Sequence, residues 1–241
     1  GLFDLRTVLD GNKVRTQRAV MSGPIGTVSV SGSADLQRRS LALRLDGASV
    51  ALSSIDPGWR GTVLAEGAIN GSWDRPAASL QVEGYGLGVE GTRVPVSSAN
   101  LVVDKDGVRV TQARLQSGIT SAQANGIYRW NGRLDGSFQV SKAQIADWID
   151  REGDVAGWVN IPSGTVAGTL KSPIVRAQVK ATELLAYDTL VPEANADLEY
   201  LGGVLSWQNG SARLLEGEAR FDGRFVPRIR SGSTTFKLDG I

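Results

Sequence analysis

The sequence predicts an all-β protein of long antiparallel meanders. Three observations carry that reading: apolar residues recur at every second position, Asx-Gly dipeptides punctuate the runs, and a block of about a hundred residues occurs twice. With 241 residues, 41% hydrophobic and 21% charged, the chain has the composition of a folded domain, not a disordered tail.

Taken along the chain, the alternation is regular. Leu41, Leu43 and Leu45 alternate with Ala42 and Arg44, Leu80 and Val82 with Gln81 and Glu83, and Leu101 and Val103 with Val102 and Asp104. Val108 and Val110 alternate with Arg109 and Thr111, and Val175, Ala177 and Val179 with Arg176, Gln178 and Lys180. Ala194, Ala196, Leu198 and Tyr200 do the same with Asn195, Asp197 and Glu199. Each strand therefore has one apolar and one polar face. Tight turns are expected at Asp10-Gly11, Asp46-Gly47, Asp106-Gly107, Asn131-Gly132, Asn209-Gly210 and Asp222-Gly223, because both residues of such pairs tolerate positive φ.

One segment predicts a helix. Ser141 would cap it and Gln144 would complete a capping box, while Ile145, Trp148 and Ile149 would share a face, giving about two turns over a sheet end or edge.

Composition excludes a good deal of chemistry. With no His and no Cys there is no imidazole base, thiolate, disulfide or zinc site of the usual ligands, and no cofactor is expected. Lys plus Arg number 26 against 25 for Asp plus Glu, so a net charge of +1 gives no case for nucleic acid. Gly1 to Arg6 lacks the charged and apolar regions of a signal peptide, and no run approaches the roughly 18 apolar residues of a spanning helix. Aromatic residues are 6% of the chain and scattered, unlike the girdles of a transmembrane barrel.

Several short motifs resolve into structure. Gly86, Gly88 and Gly91 match a dinucleotide fingerprint, but the extended Thr92 to Val96 follows where a helix is needed, so a strand bend or bulge is expected. Asp104-Lys105-Asp106-Gly107 resembles the start of a calcium loop, yet Leu115 stands at its bidentate position and a tight turn is expected. The sequons at Asn70 and Asn209 read as hairpin residues. Glu152, Asp154, Glu216 and Glu218 read as polar-face charges, not a glycosidase pair, and Arg220, Arg224, Arg228 and Arg230 as a solvated cluster.

The repeat is the strongest signal. Gly67, Gly71, Pro76, Val82, Leu87, Pro95, Ala99 and Leu101 meet Gly164, Gly168, Pro173, Val179, Leu184, Pro192, Ala196 and Leu198, each pair 97 residues apart. Strands from Val28 to Leu45 resemble those from Gln123 to Phe138, a partial further copy. The expectation is one repetitive β domain over 1–241, with copies at about 67–163 and 164–241 and a partial copy at 1–66. Thr235 to Ile241 still reads as a strand in progress, so the chain is expected to be an internal fragment of a longer protein.

The unit from Gly164 to Ala181, followed by Ala194 to Tyr200, resembles the repeated strands of the TamB and AsmA-like family of Gram-negative bacteria. So do the copy from Gly67 to Val82 and the stretch from Ala122 to Phe138. The resemblance implies a long curled antiparallel sheet, a repeating β-groove or β-taco that is solenoid-like, with a hydrophobic inner face. It also implies a periplasmic location, in a protein anchored in the inner membrane by a helix that this chain lacks. A closed β-sandwich is the alternative that the alternation alone allows.

On that resemblance the function expected is a hydrophobic-groove segment, not an enzyme. It would carry phospholipids across the periplasm to the outer membrane and support outer-membrane biogenesis. The groove lining would be Leu41, Leu43, Leu45, Leu80, Val82, Leu101, Val103, Val108, Val110, Val175, Val179, Leu198 and Tyr200. Partners would be phospholipid acyl chains, flanking repeats of the same full-length chain and a TamA-like outer-membrane barrel. The alternatives are a β-augmentation scaffold or chaperone for outer-membrane protein assembly with such a barrel, and a carbohydrate-active solenoid acting through Asp and Glu.

Overall fold

The structure is a computed structural model that describes residues 1–89, 92–145, 155–186, 189–214, 217–229 and 231–239. The fold is all-β and antiparallel, and the chain divides into two compact units, Gly1–Ser117 and Gly118–Ile241.

Unit 1 holds β1 (Leu2–Asp10), β2 (Lys13–Gly23), β3 (Gly26–Asp35), β4 (Ser40–Ala51), β5 (Trp59–Ser72), β6 (Arg75–Val89), β7 (Thr92–Val103) and β8 (Gly107–Ser117). Unit 2 holds β9 (Thr120–Arg129), β10 (Arg133–Gln144), β11 (Val155–Thr169), β12 (Ser172–Ala186), β13 (Thr189–Leu201), β14 (Val204–Leu214), β15 (Gly217–Val226) and β16 (Ser231–Asp239). Within each unit every strand pairs with its neighbours in sequence, forming one meandering sheet, and among the described residues no second sheet packs upon it. The closed-sandwich alternative is not found in either unit.

The strand limits carry the repeat. β6 and β12, and β8 and β14, begin and end 97 residues apart, and β7 and β13 begin 97 apart. Pairing follows the same offset: Gly67 faces Leu80 and Leu80 faces Leu101, as Gly164 faces Ala177 and Ala177 faces Leu198. Registers recur because matching turns and bulges set which side chain meets which.

Hairpins turn where expected beside Asp10-Gly11, Asp106-Gly107 and Asn131-Gly132. At the second of these, the Asp104 carboxylate accepts the N–H groups of Asp106 at 2.8 Å and Gly107 at 3.3 Å, an Asx turn with no cation needed to explain it.

The other three dipeptides lie inside strands. Asp46-Gly47 sits in β4, where both residues oppose Glu66 alone, and Asn209-Gly210 sits in β14, where the register slips against both neighbours. Asn209 has φ 53°, and its N–H donates to Asp222 at 2.9 Å, so Asp222-Gly223 braces that bulge from β15. A bulge and a two-residue turn both draw on such pairs, and the pair alone does not separate them; of Asp46, Gly47, Asn209 and Gly210 only Asn209 takes the positive φ that a tight turn would ask of both positions. For the same reason the sequons at Asn70 and Asn209 fall in β5 and β14, not in turns. Gly86, with φ 59°, lies in β6 at a register shift against β5, the bulge expected there; Gly91 lies outside the described residues.

The expected helix is replaced by strand where the structure describes it. Ser141 and Gln144 lie in β10, paired with Ser121 of β9 and Trp158 of β11. Ile145 follows in 3₁₀ conformation, and Trp148 and Ile149 lie outside the described residues. A capping pattern is a local preference of about 1 kcal/mol, and ladder pairing on both sides overrides it. A bulge takes its place: Lys142 has φ 53° and its N–H donates to the Asn160 side chain at 2.9 Å.

Candidate functional site

The apolar face is assembled by register. In unit 1, Val30, Leu45, Gly67, Leu80, Leu101 and Val110 stand in one cross-strand row from β3 to β8. A flanking row runs Gly32, Leu43, Ile69, Ala78, Val103 and Val108, and another runs Val28, Ala48, Ala65, Val82, Ala99 and Ala113. Opposed residues share a face, so these rows form one continuous apolar surface.

All thirteen groove residues expected from the sequence are half-buried or buried, and Leu45 is the most covered at 9% exposure. Leu41, Leu43, Leu45, Leu80, Val82, Leu101, Val103, Val108 and Val110 come together in unit 1, while Val175, Val179, Leu198 and Tyr200 come together in unit 2 on β12 and β13. The alternating positions Ala42, Arg44, Gln81, Arg109, Arg176, Gln178 and Lys180 are exposed.

Unit 2 surfaces the same face differently. Phe138, Gly164, Ala177, Leu198, Trp207 and Gly223 form the row equivalent to the one through Leu45. A side chain on Gly164 would strike the Phe138 ring, on Gly223 the Trp207 ring, on Gly210 the Phe221 ring and on Gly232 the Phe225 ring. In each pair the aromatic residue stands directly opposite its glycine across the ladder, so the ring lies over bare backbone. Phe221 and Phe236 stack further, with centroids 6.2 Å apart.

These aromatic residues are absent from the expected lining because the apolar alternation beside them is interrupted, by Gly136 before Phe138, by Gly223 between Phe221 and Phe225, and by the bulge after Trp207. On β14 the inward residues run Leu205 and Trp207, then Gly210 and Ala212 beyond the bulge; on β4 they run Leu41, Leu43 and Leu45, then Ala48 and Val50. Glycines directly opposed to aromatic residues are the signal that finds them, and it is visible only once the register is known.

Among the described residues nothing within either unit covers this face. Among the described residues no side chain is fully buried. Three recesses lie on the polar face, one in unit 2 along Gln178 and Asp197 and two in unit 1 on either side of Glu66 and Gln81.

Charged groups form no catalytic constellation among the described residues. No cluster of acidic side chains could hold a metal there. Glu218, Arg220 and Arg224 are exposed on β15 and Arg228 on the 3₁₀ turn Pro227–Ile229; Glu152, Asp154, Glu216 and Arg230 lie outside the described residues. Among the described residues no helix is long and apolar enough to cross a membrane. The chain matches no family profile, no curated protein and no solved structure.

Proposed function

We propose that the apolar faces hold phospholipid acyl chains, as a hydrophobic-groove segment of a TamB-like protein that carries phospholipids across the periplasm and supports outer-membrane biogenesis. One observation carries the reading: continuous apolar rows, each several strands wide, with no covering layer in their own unit. Soluble proteins rarely leave such a surface open without a partner for it.

The energetics favour hydrocarbon as that partner. A diacyl lipid carries roughly 30 methylenes, so its tails cost about 25 kcal/mol to hold in water at about 0.8 kcal/mol each. An apolar surface offsets much of this, and because hydrophobic contact is not directional a chain slides along it with little barrier.

Photo-crosslinkers at Leu80, Leu101 and Val179 are expected to capture lipid in bacterial cells, whereas those at Gln81 and Lys180 on the opposite face are not. Native mass spectrometry of the purified chain is expected to show bound phospholipid. Equal labelling of both faces, or a chain that is lipid-free and refuses added lipid, would remove the proposal.

A further inference from the structure

The polar face carries one recess at the same place in both repeats. In unit 2 it measures ≈ 430 Å³ and lies between the row Ser163, Gln178 and Asp197 and the row Thr165, Arg176 and Glu199. In unit 1 it measures ≈ 570 Å³ and lies between Glu66, Gln81 and Asn100 on one side and Ala68, Ser79 and Val102 on the other. Every one of these residues is 97 positions before its counterpart, and the floor is main chain at Gly67 and Gly164.

The two differ in what their walls do. In unit 2 the walls bond to their own neighbours: Arg176 pairs with Glu199 at 2.7 Å, Ser163 donates to Gln178 at 3.2 Å, and Asn209 donates to Asp197 at 2.9 Å. In unit 1 Ser79 and Val102 stand where that ion pair would be. The side chains of Glu66, Gln81 and Asn100 make no hydrogen bond or ion pair among the described residues. A second recess of ≈ 410 Å³ shares the Glu66 and Gln81 wall, so these two side chains border open space on both sides.

We infer that this trench in unit 1 binds a neutral oligosaccharide. Its carboxylates, Glu66 and Glu83, repel anionic ligands, and its one lining cation, Arg44, is paired with Asp46 at 3.4 Å. Free amides and carboxylate oxygens suit sugar hydroxyls, while Ala68 and Val102 offer small apolar spots to the C–H faces of a pyranose. A peptide strand would find the floor's backbone groups already bonded within the ladder. The site is on the face opposite the acyl-chain surface and does not depend on it.

The probe is chitohexaose, titrated into the full 241-residue chain and followed by amide and side-chain NMR. Saturable shifts at the Gln81 and Asn100 side-chain amides are expected. Gln81→Ala with Asn100→Ala should weaken binding roughly tenfold or more, and Gln178→Ala should leave it unchanged. Transplanting the bonded wall of unit 2, Glu66→Ser with Asn100→Asp, should tie up Gln81 as Ser163 ties up Gln178 and abolish binding in a chain whose spectrum remains folded. The reverse exchange, Ser163→Glu with Asp197→Asn, should free Gln178 and open a second site in unit 2. No saturable shift up to about 10 mM, or binding that survives the transplanted wall, would overturn the inference.

Discussion

Units 1 and 2 present the same apolar face in two ways. Across equivalent rows, Leu45, Leu80 and Val110 of unit 1 become Phe138, Ala177 and Trp207 of unit 2. Unit 1 spreads its apolar volume evenly, whereas unit 2 concentrates it in rings that reach over the glycine on the next strand. In unit 2 the rings cover backbone that the glycines of this face would otherwise leave bare, whereas at Gly67 the nearest neighbours are main chain. Strand register is therefore a stronger invariant of the repeat than residue size.

The repeat-equivalent glycines give the largest expected difference. At Gly67 (φ 155°) an added Cβ would run into the main chain of Ser79 and Leu80, whereas at Gly164 it would meet the movable Phe138 ring. Gly67→Ala should cost about 3 kcal/mol or more and Gly164→Ala about 1–2 kcal/mol, read from urea midpoints. In a double-mutant cycle, Phe138→Ala should relieve the cost of Gly164→Ala and leave that of Gly67→Ala unchanged. Equal costs at the two glycines would mean that the ring does not fill the space over Gly164.

A smaller contrast lies on the polar face. Arg176 and Glu199 are bonded but their side chains are 67% and 35% exposed, so Arg176→Ser should cost under about 1 kcal/mol, shrinking further as salt is raised. Ser79, its counterpart, should show no salt dependence on substitution.

The smallest effect is electrostatic and confined to unit 1. The Tyr85 hydroxyl donates to the Glu83 carboxylate, and that bond, with the carboxylate's charge, raises the Tyr85 pKa above the ordinary tyrosine value. Because the folded value is the higher one, the stabilisation is present below the unfolded pKa and is lost as pH rises through the folded one. Glu83→Gln should bring the tyrosinate absorbance transition back down, while the counterparts Lys180 and Thr182 leave unit 2 without such a group.

Much of this architecture was legible in the residues. Alternation at Leu41 to Leu45 and at Val175 to Val179 named faces correctly because a strand's side-chain period is a local property. The 97-residue offset seen from Gly67 to Leu101 recurs in the starts of β6 to β8 and β12 to β14. Failures came where one local pattern serves two structures. Asn209-Gly210 looked like a turn and is a bulge, and Ser141 with Gln144 looked like a helix start and is paired strand.

By itself, then, the sequence determined the all-β class, the antiparallel meander, the repeat spacing and the apolar identity of thirteen lining residues, all consequences of short-range sterics and side-chain period. Only the tertiary structure decided that Phe138, Trp207 and Phe221 lie over glycines, that no second layer covers the face within its unit, and that equivalent polar recesses are self-bonded in one repeat and free in the other. Those facts depend on which residues stand opposite one another across strands, and a single bulge shifts that relation by one place for everything beyond it.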